Sequence, residues 1–341
     1  MATEHEDWRL LLTDDGSPTL VHPAHGEACH SRAGAWLESR ERYARACRVR
    51  ERALELAQRG ERAFRLLDVG TGLGLNVAAA LAALEATGVA LDVVTLELDA
   101  SVIERTLALA RTGELHARSS PELVRAHAPV LAALERALAA PERAPTTSER
   151  SRSTSERAST ASAREPASVE GALGTPERAP APRERAPEPL PLGDGRLRLL
   201  LGDGRATLPA LDPALRFDAV FLDAFSPGVD GALWQPAFLA ELARRLAPGA
   251  VLSTYSVSLA VRVGLAAAGL HVAPGGRVGT KAAGTLASNR PFPPDHPALD
   301  ARTARRVARR AARLVADGPE RPGVPPPEGG ASPRAISHPE G

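Results

Sequence analysis

The chain has 341 residues, 43% apolar and 24% charged, with a formal net charge of +1. That apolar share supports a real core in one large domain or two ordinary ones, and the charge balance excludes a globally basic nucleic-acid binder, so any RNA contact has to come from a local patch. The two cysteines, Cys29 and Cys47, make neither a disulfide framework nor a metal spacing, which points to a reducing compartment.

The first ten residues, MATEHEDWRL, lack an apolar core flanked by basic residues, and nowhere do eighteen apolar residues run together, so a soluble cytoplasmic protein is expected. Lys281 is the only lysine; arginine carries the rest of the positive charge.

In chain order, residues 10–22 read as a hairpin about Asp14, Asp15 and Gly16. Ser31 is placed to cap a helix carrying Ala35, Leu37 and Tyr43, with Glu27 and His30 in the loop before it. Residues 49–60 read as an Arg/Glu-laced, solvated helix ended by Gly60.

The stretch from Phe64 to Leu81, FRLLDVGTGLGLNVAAAL, is a strand, a glycine turn and a helix. Gly70, Gly72 and Gly74 alternate with Thr71 and Leu73, leaving three positions without a Cβ where a ligand can lie close to the backbone. The pattern is D-x-G-x-G-x-G from Asp68, not the dinucleotide fingerprint G-x-G-x-x-G. Residues 89–98 form the next strand, and Glu97 falls where doubly wound folds place an acid that accepts hydrogen bonds from ribose hydroxyls.

Helices follow at 101–112 and 121–140. From 141 to 191 the chain turns to Pro, Arg, Glu, Ser, Thr and Ala, with PERAP at 141–145 and again at 176–180. Such a segment cannot bury enough apolar surface to offset its ordering entropy, so a disordered insertion within one domain is expected. Residues 196–203 make a third strand ending at Asp203, before Gly204, and an N-cap role for Asp203 is one reading. Residues 217–223, FDAVFLD, make a fourth, leading into AFSPGVDGALWQPAF; Asp223, Phe225 and Pro227 are thereby set at the carboxyl ends of the strands, where open α/β sheets bind ligands.

A helix at 236–246, a strand at 249–255, a helix at 258–268 and strand-like pieces at 270–272 and 285–288 complete an alternating order that implies a mostly parallel sheet with helices on both faces. In the tail, Arg302, Arg305, Arg306, Arg309, Arg310 and Arg313 share one face if a helix forms, and that face suits phosphates. Neither a G-x-S-x-G elbow nor a P-loop is present, and the histidines and cysteines have no metal spacing.

The glycine turn resembles the first motif of the S-adenosylmethionine-dependent methyltransferases. Four stretches together resemble the MnmC-like family, found alone or fused to an FAD-dependent oxidoreductase, which methylates the aminomethyl group on the wobble uridine of certain tRNAs. They are GEACHSRAGAWLESR near the start, GTGLGLN at 70–76, FLDAFSPGVDGALWQPAF at 221–238 and LSTYSVSLAVRVGLAAAGL at 252–270. The resemblance spans roughly residues 12–289 without the insertion.

It implies a Rossmann-like class I α/β fold with a mostly parallel seven-stranded sheet. Residues 1–62 would cover the cofactor site, 63–290 would form the methyltransferase domain around the 141–191 insertion, and 291–341 would be a Pro/Arg-rich tail. It implies S-adenosyl-L-methionine as cofactor, held by Gly70, Thr71, Gly72, Gly74, Asn76, Glu97, Asp203 and Gly204, with Asp203 meeting adenine. Asp223 would be the carboxylate beside the transferred methyl, and Phe225, Pro227, Trp234, His30 and Ser31 would face the acceptor. The implied partner is tRNA, with no metal and no membrane.

No second glycine-rich nucleotide motif follows residue 289, so an upstream flavin-dependent oxidoreductase step is expected in a separate protein. Gly228, Val229 and Asp230 stand where the family carries basic and amide residues, and its later basic cluster is reduced to Lys281. A small-molecule or protein amine is therefore an alternative acceptor, and a non-catalytic cofactor- or RNA-binding protein is a third reading. The tail arginines would compensate for the lost basic residues.

Overall fold

The computed structural model describes residues 7–140, 187–229, 231–278 and 283–317. Most of the expected insertion, both PERAP copies, Asp230, Lys281 and the end of the tail lie outside them.

The chain opens with strands β1 (Arg9–Leu12) and β2 (Pro18–Val21), an antiparallel two-stranded sheet, as the turn residues predict. Helix α1 (Ala35–Glu38) runs straight into a π-helical segment, Ser39–Arg45. Ser31 does not cap α1, contrary to expectation: the N–H groups of Ala35 and Trp36 donate to Ser17 Oγ (3.0 and 2.9 Å) and that of Leu37 to Asp15 Oδ2 (3.0 Å). The helix start is thus satisfied by the hairpin turn, a contact that no local pattern announces. Helix α2 (Val49–Gln58) buries Val49, Ala53 and Leu56, one stripe of a helix whose other face is solvated.

The elements β3 (Ala63–Val69), β4 (Ala90–Glu97), α4 (Ala100–Thr112) and α5 (Pro121–Ala139) follow the sequence reading within a residue or two, and α3 (Leu75–Leu84) continues three residues past the expected Leu81. Then come β5 (Leu190–Leu192), β6 (Gly195–Leu201), the one-turn α6 (Gly204–Thr207) and β7 (Phe217–Leu222). The rest is α7 (Pro236–Arg244), β8 (Leu246–Thr254), α8 (Leu259–Ala267), β9 (His271–Pro274), β10 (Thr285–Ser288) and α9 (Ala301–Asp317).

The main sheet has eight strands in the order β5-β6-β4-β3-β7-β8-β10-β9, one more than the seven expected. The extra strand is β5, whose first two residues composition assigns to the insertion. Leu190, Pro191 and Leu192 pair antiparallel with Leu197, Arg196 and Gly195 at the sheet edge, where the missing N–H of Pro191 costs nothing. Gly195 is required in that hairpin, because a Cβ there would collide with the carbonyl oxygen of Leu91.

Strands β6, β4, β3, β7 and β8 are mutually parallel. Alternate residues feed two apolar layers. Phe64, Leu66, Leu91, Val93, Ala219 and Phe221 face the layer shared with α2, α3 and α5; Leu67, Val69, Val94, Leu96, Val220 and Leu222 face the layer shared with α7 and α8. This two-sided burial explains why the strands read as continuous apolar runs. The chain winds from β3 towards β4 on one side and continues with β7 on the other, so the crevice at the carboxyl ends of β3 and β7 is the topological switch point.

Helix α9 forms and packs on α8, burying Val307 and Ala311. Among the described residues, no helix is long and apolar enough to cross a membrane.

Candidate active site

The glycine turn is built against the neighbouring strand ends. The N–H groups of Gly70 and Thr71 both donate to the carbonyl of Leu96 at the end of β4 (3.0 and 3.1 Å), and that of Asp223 donates to Val69 at the end of β3 (2.9 Å). Gly70 has φ +92°, and a Cβ there would lie 2.6 Å from the Asp223 carbonyl oxygen, so only glycine allows the two strand ends to meet. Gly72 differs: its N–H donates to Glu97 Oε2 (2.9 Å), and a Cβ on it would meet nothing closer than Cys29 Sγ at 4.0 Å. The space over Gly72 belongs to a cavity.

That cavity measures about 490 Å³. Its floor comes from Gly70, Gly72, Glu97, Gly202, Asp203, Gly204 and Asp223; its roof comes from Trp8, His22, His25, Glu27, Cys29 and His30 of the N-terminal segment. Ser226 Oγ donates to Glu27 Oε2 (3.0 Å), tying that roof to the loop after β7. Phe225 stands at the wall, stacked on Trp8 at 6.2 Å and meeting His22 edge-on at 5.3 Å.

Glu27, Glu38, Glu97, Asp99, Asp203 and Asp223 line this space, against one arginine, Arg205. So acidic an enclosure favours a cationic ligand. Burial pushes the Glu97 carboxyl above the usual carboxylate range against the pull of its backbone hydrogen bonds, the Gly72 N–H first. The bond from Arg205 holds Asp203 below that range.

Asp223 is the most constrained of the six. Tyr43 Oη donates to its Oδ1 at 2.5 Å and Asn76 Nδ2 to its Oδ2 at 2.8 Å. Burial, then the charge of Glu38, drive its carboxyl well above the ordinary range, while the bonds from Tyr43 and Asn76 pull it back. Glu38 accepts from Arg42 Nε at 3.1 Å, both side chains almost fully buried, and from the Ser31 N–H at 2.6 Å. Tyr43 and Arg42 sit in the π-helical segment, a local widening that recurs at functional sites.

Of the residues named from sequence, Gly70, Gly72, Glu97, Asp203, Gly204, Asp223, Phe225 and His30 line the cavity. Six do not; five are committed elsewhere and Pro227 faces solvent. Thr71 Oγ1 is 2.6 Å from Thr95 Oγ1, which donates to Asp68. Gly74, at φ +81°, lets α5 approach, since a Cβ there would lie 2.9 Å from Val130 Cγ1. Asn76 is buried and committed to Asp223. Ser31 is buried with its N–H on Glu38. Pro227 is exposed, outside the cavity lining. Trp234 is core: its Nε1 donates to the Phe225 carbonyl (2.8 Å) and its ring meets Tyr255 edge-on at 5.9 Å. Asp203 takes up its N-cap reading, accepting from the Arg205 N–H (2.9 Å) at the start of α6, and the residue also lines the cavity.

The sequence reading missed Tyr43, Glu38, Trp8, His22 and Tyr255. The lining residues among them, Glu38, Trp8, His22 and Tyr255, come mostly from the N-terminal segment, and Tyr43 reaches Asp223 from there. The one available signal was WLESRERY at 36–43, where Glu38 and Arg42 stand one helical turn apart and Tyr43 follows Arg42. Among the described residues, no three His, Cys, Asp or Glu side chains gather as metal ligands.

Residues 184–290 match the model of a family described as S-adenosyl-L-methionine-dependent methyltransferase. The chain is 52% identical over 90 residues to the tRNA 5-methylaminomethyl-2-thiouridine biosynthesis bifunctional protein MnmC of Aromatoleum aromaticum, a stretch covering 25% of this chain and 14% of that protein. It is 39% identical over 111 residues to the protein of the same name from Methylibium petroleiphilum, covering 33% and 16%. The chain thus matches only a small part of the length of these relatives. In structure it is similar to MnmC2 from Aquifex aeolicus, with a TM-score of 0.55 and 26% identity over 90% of this chain and 77% of that one.

Proposed function

We propose that this chain, an S-adenosyl-L-methionine-dependent methyltransferase related to MnmC, transfers a methyl group to the primary amine of 5-aminomethyl(-2-thio)uridine at the tRNA wobble position. The observation that carries this reading is the carboxylate of Asp223, held by two donors at the wall of an acid-lined cavity and directly beside the side-chain-free turn at Gly70 and Gly72.

The residues fit the cofactor. The space over Gly72 takes a group that lies flat on the backbone, Glu97 offers lone pairs for ribose hydroxyls, and Asp203 and Gly204 line the same cavity, where the adenine would lie. Six carboxylates against one arginine suit a ligand bearing both an ammonium and a sulfonium charge. Bound there, S-adenosyl-L-methionine supplies an electrophilic methyl group.

The protein's share is positioning and proton handling. Asp223 accepts an N–H of the incoming amine and so points its lone pair at the methyl carbon; alignment of this kind is the main source of rate in a displacement. With S-adenosyl-L-methionine bound, the C–N bond would form as the methyl carbon's bond to sulfur breaks, releasing S-adenosylhomocysteine. The amine nitrogen, then cationic, sheds a proton, and Asp223 takes it. Its proton affinity, raised by burial and by Glu38, suits that role. Tyr43 and Asn76 fix the carboxylate orientation, and residues of the N-terminal segment, Trp8 to His30, cover one side of the site.

In this reading residues 1–62 serve as the cover and 63–290 as the catalytic domain, in the cytoplasm where tRNA is. The relatives are described as bifunctional, and this reading assigns the present chain the methyl-transfer activity alone. The test is direct. The purified chain, given the labelled cofactor and tRNA whose wobble uridine carries a free aminomethyl group, should convert that nucleoside to its methylamino form by mass spectrometry. An unchanged nucleoside overturns the proposal.

A further inference from the structure

We propose that the arginine face of α9 is the surface on which the phosphate backbone of the RNA substrate docks; the inference rests on RNA being the substrate. The acid-lined cavity presents carboxylates to an approaching polyanion, and the formal charge of the whole chain is only +1, so the attraction has to be supplied by a concentrated patch.

Helix α9 is such a patch. Arg302, Arg305, Arg306, Arg309, Arg310 and Arg313 are all exposed, and no acidic residue interrupts the helix between Ala301 and Ala316. None of the ion pairs among the described residues uses any of the six. Five of them, all but Arg313, line one open concavity. From Arg302 to Arg313 the six span about 16 Å at the helical rise, a ladder of guanidinium groups that suits a run of phosphates.

The helix is held in place. Asp300 caps it, accepting from the Thr303 N–H at 2.9 Å, and Val307 and Ala311 pack it on α8. The two helices pack directly against each other. Helix α8 follows β8, and the residue just past β8, Tyr255, lines the cavity. The basic face therefore sits on a helix packed against the one that leaves the edge of the sheet where the site opens. A basic amphipathic helix can also serve a lipid surface, but that mode needs a free apolar face, and here Val307 and Ala311 are already buried.

The test replaces Arg305, Arg306, Arg309 and Arg310 together with Gln, and in a second variant with Lys, and measures tRNA binding by the full chain across a salt series. The Gln variant should bind at least tenfold more weakly at about 0.15 M salt and show a salt slope shallower by about two or more. It should keep its affinity for S-adenosylhomocysteine, and the Lys variant should keep most of the salt slope. Wild-type tRNA affinity and slope in the Gln variant would overturn the inference, as would loss of sedimentation with anionic vesicles while tRNA binding is untouched. A wild-type chain that binds tRNA through these arginines yet transfers no methyl group defeats the proposed reaction and leaves the docking surface standing.

Discussion

The hydroxyl of Tyr43 lies 2.5 Å from a carboxylate oxygen of Asp223, although 180 residues separate them. Tyr43 is fully buried in the π-helical segment of the N-terminal region, and Asp223 stands just past β7, so the bond joins the covering segment to the sheet at the proposed site of methyl transfer. It sets both where the carboxylate points and how readily it ionises.

Tyr43→Phe removes a hydrogen bond that favours the ionised form of Asp223, whose proton affinity burial has already raised. An acceptor carboxylate must be ionised, so activity climbs as pH rises through its pKa. The acid limb of kcat/KM should begin above the ordinary carboxylate range in the wild type and move higher still in the variant. Turnover on that limb should fall about tenfold for every pH unit by which it moves. A profile that stays put, or moves to lower pH, contradicts the role given to Tyr43.

Glu38→Gln should act in the opposite sense on the same profile. The charge of Glu38 raises the Asp223 pKa, so its removal should bring the acid limb to lower pH. The same change leaves Arg42 without its buried ionic partner and should cost about 3–5 kcal/mol in urea unfolding. Opposite displacements from two residues 5 positions apart would be hard to attribute to general damage to the fold.

Gly70→Ala and Gly72→Ala should fail differently. At Gly70 the new methyl would meet the Asp223 carbonyl oxygen at 2.6 Å, on top of a φ of +92°, so thermal stability should drop by about 2 kcal/mol or more. At Gly72 the neighbouring space is open and the cost to the fold should stay near ~1 kcal/mol, the left-handed backbone penalty. There the loss should show as weakened S-adenosylhomocysteine binding by calorimetry; equal behaviour of the two variants would refute this division.

Asp68→Asn tests a buried acid that the proposed chemistry does not use. Burial, opposed by the Thr95 hydroxyl bond, pushes Asp68 up to about 7. The folded state then keeps a proton that the unfolded chain has already lost, so the group favours folding at low pH and that contribution disappears as pH rises towards 7. The Asn variant does not titrate there. Its stability relative to wild type should increase by on the order of 4 kcal/mol between about pH 4 and about pH 8, with no further change above; a difference flat across that range would mean Asp68 is ionised throughout.

Much of this molecule is legible in its residues. Continuous apolar runs mark the strands, which are buried on both faces, and period-3.6 patterns mark the helices, so β3, β4, α4, α5 and β7 fall within a residue or two of where the pattern puts them and α3 runs three residues past Leu81. The acids at the ends of β4, β6 and β7 are legible too, since the end of a parallel strand is a fixed place in such a fold. Low apolar content marks the stretch after Ala140, but β5 is hidden at its end, since an edge strand of 3 residues is too short to show a period.

Only the tertiary structure decides which of the named side chains reach the cavity. Asn76 and Trp234 belong to the right motifs yet turn to Asp223 and to the core, because side-chain direction depends on which neighbours offer a hydrogen bond or a space to fill. The N-terminal roof and the Tyr43 bond to Asp223 come from contacts between segments far apart in the chain, which local spacing cannot encode. The sequence by itself sets the order of strands and helices through hydrophobic periodicity; the packing of distant segments sets the chemistry of the carboxylate at the end of β7.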